Sequence, residues 1–411
     1  MSADALAYPF IFIAIFFESF VLVTLLSKPA RDARARTKST TTPSVAVIVP
    51  CRNEGETVAT TTESLLALDY PKDKLQIILV DNASTDNTPA VMARYANNPQ
   101  VRVLQAAERG KHNAVNAGIA ATDAEFIGCL DADSFVEPDA LHEIIPCFDR
   151  SEVAAVTAAM SIHRPRTVVE HMQNAEYSFG ITMRHAMASI NGLYVTPGPF
   201  SFYRHSVIRE LGGFRYGHQT EDMEMALRIQ RAGYEIENAP RARVYTKAPR
   251  TIPSLIRQRT RWTNGFLRNM LGEYRTLIFN RKYGVLGMMV LPIALTAIVS
   301  TVALFLLSIT QFVLQAIRAI EIRLGIPLSY TLAPHYAGFD WFYFPVDTFI
   351  FLGFITLVVS VGLIAYGRHL SKTSMRLAPS LLSYLLYGLV APLWLIRSTA
   401  NVAFGKHQTW K

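Results

Sequence analysis

Cysteine is scarce, and its spacing carries no chemistry. Cys51, Cys129 and Cys147 form no CxxC pair and no metal-ligand spacing. An odd count in apolar surroundings excludes a disulfide scaffold and suits a reducing compartment. Charge is also low, at 18% of 411 residues, with 40 Lys+Arg against 32 Asp+Glu and a net charge of +8. With 50% hydrophobic residues and a mean hydropathy of +0.21, a purely soluble protein is excluded, and so is a disordered chain. A pure membrane bundle is excluded too. Residues 45–250 have the composition of an ordinary globular sequence and are enough for one well-cored domain.

The apolar residues collect at the two ends. Residues 9–27 carry one charge, Glu18, in a run long enough to span a bilayer. A cleaved signal peptide wants Lys or Arg before its apolar core, and only Asp4 stands there. The basic cluster follows instead, at Lys28, Arg31, Arg34, Arg36 and Lys38, which predicts an uncleaved anchor with the next segment cytoplasmic. Glu18 is expected to face other helices. Three more uncharged stretches, 284–317, 348–367 and 377–396, predict about three spans in the region 284–411. The loop Arg368–Arg376 fits the inside, but an even exit leaves the basic tail (Arg397, Lys406, Lys411) outside. Either the tail is an exception or 284–317 is no simple span.

The middle reads as alternating strands and helices. Val45–Val49, Gln76–Val80, Val101–Leu104 and Glu125–Leu130 are strands, with helical patterns over 55–68, 87–96 and 110–120 between them. Such alternation predicts βαβ units and a parallel sheet. Ligands bind off the carboxyl ends of such strands. Those ends carry Arg52-Asn53-Glu54, Asp81-Asn82 and Asp131-Ala132-Asp133. Each alone reads as a turn or cap; together they read as a site. Asp131 and Asp133, two residues apart, can share a hard divalent cation with substrate phosphates. Arg109-Gly110-Lys111 can hold phosphate at a helix start. Thr220-Glu221-Asp222 opens a helix over Met223–Arg231, with Thr220 as its cap and Asp222 free to take a proton from a hydroxyl.

From Asn238 to Gly272 there is no acid and there are eight Lys/Arg. Leu255, Ile256, Trp262, Phe266, Leu267, Met270 and Leu271 recur at helical spacing, the form of a basic amphipathic helix at a membrane surface. A sharper reading turns Gln258, Arg261 and Trp262 toward the cleft, where arginine suits a diphosphate.

The segments VAVIVPCRNE (45–54), LALDYPKDKLQIILVDNASTDNT (66–88), GKHNAVNAG (110–118), LDADS (130–134), TPGPFSFYR (196–204), TEDMEMALRIQRAGY (220–234) and QRTRW (258–262) resemble, in order, those of the membrane-bound family 2 glycosyltransferases. These are the processive hyaluronan, chitin-oligosaccharide, poly-N-acetylglucosamine and cellulose synthases. The resemblance covers about Val45 to Met270 and the flanking membrane segments. It implies an α/β GT-A fold, Rossmann-like, as a cytosolic domain over 45–250. Residues 1–44 would be anchor and linker, 251–283 interfacial helices and 284–411 membrane helices. It implies a UDP-sugar donor and Mg2+ or Mn2+. Residue by residue, Asp81 would bind the uracil, with Pro50, Asn53 and Glu54 beside it, and Lys111 would lie near the diphosphate. Asp133 would bind the metal and Asp131 the donor. Asp222 would be the base, beside Glu221. Gln258, Arg261 and Trp262, with Arg259 among the substrate contacts, would close over diphosphate and acceptor, and Gly198 would lie at the acceptor end.

Asn82 and His112 depart from the family pattern. There is no room after 397 for a PilZ domain, which disfavours a bacterial cellulose synthase. TPGPFSFYR looks most like the loops of the N-acetylglucosamine-using synthases. The expected partners are a UDP-sugar, a carbohydrate or lipid acceptor and the bilayer of the inner membrane, with a homo-oligomer or export partner left open and no nucleic acid. A single-transfer glycolipid synthase, related to the ceramide glucosyltransferases, and a catalytically silent scaffold stay open as alternatives.

Overall fold

The computed structural model describes residues 3–27, 42–324, 348–373 and 378–405. The basic cluster Lys28–Lys38, Arg376, Lys406 and Lys411 lie outside the described residues. After α1 (Ala3–Leu26), the chain builds β1 (Val45–Cys51), α2 (Val58–Leu66), β2 (Leu75–Asp81), α3 (Thr88–Ala93), β3 (Val101–Gln105), α4 (Lys111–Ala120) and β4 (Phe126–Cys129). There follow β5 (Phe135–Val136), α5 (Ala140–Ile144), β6 (Val153–Ile162), α6 (Val168–Ser189), β7 (Ser201–Arg204), α7 (His205–Glu210), α8 (Glu221–Ala232), β8 (Glu235–Thr246) and α9 (Ile252–Leu271).

The eight strands form one sheet in the order β3-β2-β1-β4-β7-β6-β8-β5. β3, β2, β1 and β4 are parallel, as the alternation predicts. The other half is mixed: β7 runs antiparallel to both β4 and β6, and β8 pairs parallel with β6. A purely parallel sheet is therefore not formed. The chain enters β7 from the turn at 197–199 rather than from a crossover helix, and this brings TPGPF alongside the end of β4.

β1 shows why the parallel half is stable. Val45, Val47 and Val49 pack on one face with Leu65 and Met92, and Ala46 and Ile48 on the other with Ala114 and Val115. A strand covered on both faces reads as an unbroken apolar run. α8 is fixed from below by a buried pair, Glu224 and Arg228, at 2.8 Å. Arg228 also donates to the Leu211 and Gly213 carbonyls, and the Tyr274 hydroxyl donates to Glu224 at 2.6 Å.

Three helices among the described residues are long and apolar enough to cross a membrane: Ala7–Leu26, Leu286–Leu324 and Ile350–Leu370. The second is α10 (Leu291–Leu324) with the π-helical turn that leads into it, and the third lies within α11 (Thr348–Leu370). Glu18 does face another helix, accepting from the Ser360 hydroxyl of α11 at 3.0 Å. The stretch predicted as a last span is broken into two helices, α12 (Ala378–Leu385) and α13 (Tyr387–Ala403), bent by 51°, which together are long and apolar enough for one span. α12 packs on α6 and α13 on α9. Ser398 of α13 donates to the Thr260 carbonyl at 3.3 Å.

Arg228→Leu leaves the Glu224 carboxylate buried without its cation, which costs about 3–5 kcal/mol. Thermal unfolding of the purified variant is expected to show a correspondingly lower midpoint, whereas Arg209→Leu, whose partner Asp123 is exposed, leaves it unchanged.

Candidate active site

The ends of β1, β2 and β4 meet the start of α8 around one ammonium. Lys111 Nζ lies 2.6 Å from Asp131 Oδ1 and 3.3 Å from Glu221 Oε1. Burial works against its charge, but Asp131, Glu221 and Asp222 more than offset this and raise its pKa. The loop before Lys111 is held by Asn82, whose Oδ1 accepts from the Gly110 N–H at 2.8 Å. The departure at 82 therefore keeps an acceptor oxygen where an aspartate would supply one.

Asp222 is clasped by the TPGPF turn. Its Oδ2 accepts from the Gly198 N–H at 3.1 Å, and its Oδ1 from the Met223 N–H at 2.8 Å. Thr196 donates to the Asp222 carbonyl, and Tyr203 donates to Thr196. Burial, then the neighbouring Glu221, push the Asp222 carboxyl up to about 6. Asp133 is likewise raised to about 6 by burial, then by Asp131 and Glu54. Position 198 is tight: a Cβ there would come 2.9 Å from Lys111 Nζ and 3.2 Å from Asp131 Oδ2, so the end of the Lys111 side chain would have to shift.

A second group lines the ends of β1 and β2. Pro50 pairs in register with Val80, and Asp81 is buried and accepts from the Ser84 N–H. Asn53 takes a left-handed φ of 54°, and its Oδ1 accepts from the Thr85 N–H at 2.8 Å. The Glu54 N–H donates to Thr88 at 2.8 Å. These bonds fold 53–54 and 84–88 into one wall.

The third group stands on α9, which starts with a capping box of Thr251 and Ser254. Arg261 donates to the Gln219 carbonyl at 3.2 Å. Gly217, His218 and Gln219 are all left-handed, with φ of 50°, 54° and 68°. Such a run is costly for non-glycine residues. Thr220 does not cap α8 with its side chain, contrary to expectation; its hydroxyl donates to the Gly217 carbonyl at 2.7 Å. Arg259, expected among the substrate contacts, is buried and turned to α6. It donates to Glu176 at 2.5 Å and to Gln258 at 3.0 Å, and its guanidinium lies 4.1 Å over the Trp262 ring. Arg259 thus positions Gln258 and Trp262. Thr196 and Tyr203 lie in the TPGPFSFYR segment but carry no role there on sequence alone, and no spacing marks Glu176. Cys129, at the end of β4, is buried with its thiol pushed up to about 12, which makes it inert.

Residues 43–265 match the family model described as Glycosyltransferase like family 2, more than half of the chain. The chain belongs to this family. A poly-beta-1,6-N-acetyl-D-glucosamine synthase of Staphylococcus epidermidis is 30% identical over 241 residues, which is 58% of this chain and 58% of that relative's length. A second, from S. epidermidis RP62A, is 28% identical over 320 residues, covering 77% of this chain and 74% of the relative. A mannosyltransferase from Pyrobaculum calidifontis, solved in complex with GDP-Man and Mn2+, superposes with a TM-score of 0.61 over 98% of both chains at 20% identity. That likeness is one of fold, and it is the GT-A arrangement with flanking apolar helices.

Gly198→Ala would force Lys111 from Asp131 and loosen the clasp on Asp222. Misplacement of this size costs about 10²-fold in turnover. The variant is expected to keep its unfolding midpoint and lose sugar transfer by that order, measured as nucleotide release.

Proposed function

We propose that the protein transfers N-acetylglucosamine, with inversion, from UDP-N-acetylglucosamine to a hydroxyl of a growing saccharide at the membrane. The observation that carries this is the clasp: a carboxylate of raised pKa, Asp222, held by Gly198 beside a lysine-centred acidic cluster at the strand ends. The family assignment and the relatives named as poly-beta-1,6-N-acetyl-D-glucosamine synthases support the sugar. On this reading 45–250 is the catalytic domain, 1–44 an anchor and linker, 251–283 interfacial and 284–411 membrane-embedded. The catalytic domain faces the cytoplasm of a cell whose inner membrane carries the chain.

Asp81, with Asn53 and Glu54 in the adjoining wall, takes the nucleoside. Lys111 exchanges its carboxylate partners for diphosphate oxygens. Asp133 holds Mg2+ or Mn2+, with Asp131 beside it on the donor. The residues fit such an ion, because an oxygen donor of raised pKa gains most from a nearby cation. When bound, the ion neutralises charge on the leaving diphosphate. Asp222 accepts the proton of the acceptor hydroxyl as its oxygen bonds to the anomeric carbon. The bond from that carbon to the diphosphate breaks, and UDP leaves with the electron pair. Arg261 and Gln258 contact the diphosphate, and Trp262 stacks on the acceptor.

The test is UDP release and product mass with wild type and Asp222→Asn. The variant is expected to lose transfer and keep donor binding; equal loss of both would sink the assignment of Asp222 as base. The base works ionised, and its pKa of about 6 lies above the ordinary carboxylate range. kcat/KM is therefore expected to rise with pH through about 6 and to fall away below it. A profile flat down to pH 4.5 would contradict this.

A further inference from the structure

Between α9 and the apolar helix Leu286–Leu324 the chain folds into a short tip that presents a phenylalanine outward. Phe279 is 70% exposed and takes a left-handed φ of 53°. A bulky residue rarely adopts that conformation, which costs free energy. The tip is nonetheless firmly built. The Phe279 N–H donates to the Gly287 carbonyl at 2.9 Å. The Asn280 side chain donates to the Thr276 carbonyl at 2.9 Å and accepts from the Lys282 N–H at 3.0 Å. Gly287 permits the close approach: a Cβ there would come 2.5 Å from the Asn280 carbonyl oxygen and 2.6 Å from that of Leu277. Gly287 lies in the first turn of a helix long and apolar enough to cross a membrane. Phe279 therefore stands level with the point where that span begins. Met288, next to Gly287 in the chain, is exposed as well.

The charge around the ring has one sign. Arg275, Arg281 and Lys282 are all exposed. Between Glu273 and Glu321 the sequence has no acid. Glu273 itself is held by Arg231 at 2.9 Å and faces Arg215 at 3.6 Å. A loop in water gains nothing from an exposed ring in a strained conformation. A ring at the boundary of a span settles among lipid headgroups, where aromatic side chains collect. Basic residues beside a span are attracted there by anionic lipid.

We propose that this tip is a binding site for an anionic phospholipid: Phe279 enters the bilayer at the boundary of the span, and Arg275, Arg281 and Lys282 meet the charge of the headgroup. The site lies outside the transfer reaction and does not depend on it.

The test places one indole at the tip. Phe279→Trp is reconstituted in nanodiscs of phosphatidylcholine with a minor share of phosphatidylglycerol, and the fluorescence gained over the parent chain is followed. In one set the acyl chains of the phosphatidylglycerol carry bromine, which quenches indole on contact. In the other set an equal share of the phosphatidylcholine carries it. Stronger quenching by the brominated phosphatidylglycerol is expected, corresponding to about fivefold enrichment beside the indole, the effect of roughly one well-placed cation. The enrichment is expected to shrink in high salt. It is expected to vanish when Arg275→Gln, Arg281→Gln and Lys282→Gln are combined. These exposed positions leave the unfolding midpoint unchanged. Equal quenching by the two lipids would overturn the proposal, and so would an enrichment that survives the triple substitution. Quenching by neither lipid would put the ring outside the bilayer and overturn it too.

Discussion

The contact of Lys111 with Asp131 and Glu221 is what the active-site arrangement depends on. Asp131, Asp133, Glu221 and Asp222 come together at the ends of β4 and the start of α8. Like charges this close disfavour one another's ionised forms. One ammonium among them holds the cluster together, and the loop that carries it is tied to β2 through Asn82. Burial first, and then the neighbouring carboxylates, raise the pKa values of Asp133 and Asp222. On the proposed function, that cluster would take a further cation, and Lys111 would pass from its carboxylate partners to a diphosphate.

The same logic continues on the membrane side. α9 is held between the sheet domain and the bent α12–α13 pair. Arg259 reaches back to Glu176 on α6 and covers the face of Trp262. Arg261 reaches forward to the strained 217–219 turn just before Glu221. The helix therefore ties the acidic cluster to the elements that meet the apolar helices. The bend between α12 and α13 also bears on the basic tail: a pair that packs on α6 and α9 need not carry Arg397 across a bilayer.

Much of this was legible in the sequence, for identifiable reasons. β1, β2 and β4 are unbroken apolar runs ending in polar residues, and buried parallel strands have to read that way. Asp131 and Asp133 follow the end of β4, and Lys111, Glu221 and Asp222 open the helices α4 and α8 that meet it. The mixed half of the sheet was not legible. β7 has four residues, Ser201–Arg204, and takes its direction from β4 and β6 rather than from its own pattern. The role of Arg259 was hidden because its partner Glu176 lies 83 residues away, and local spacing cannot foretell such a pair. Thr220 reads as a cap by type, but the left-handed turn before it offers the Gly217 carbonyl instead.

Calorimetric titration of UDP, first with Mn2+ and then with EDTA, tests most directly whether the acidic cluster is built to share a cation with a diphosphate. Removing the cation is expected to weaken UDP binding by at least about tenfold, a loss of 1.4 kcal/mol or more. Equal affinity with and without the cation would contradict it.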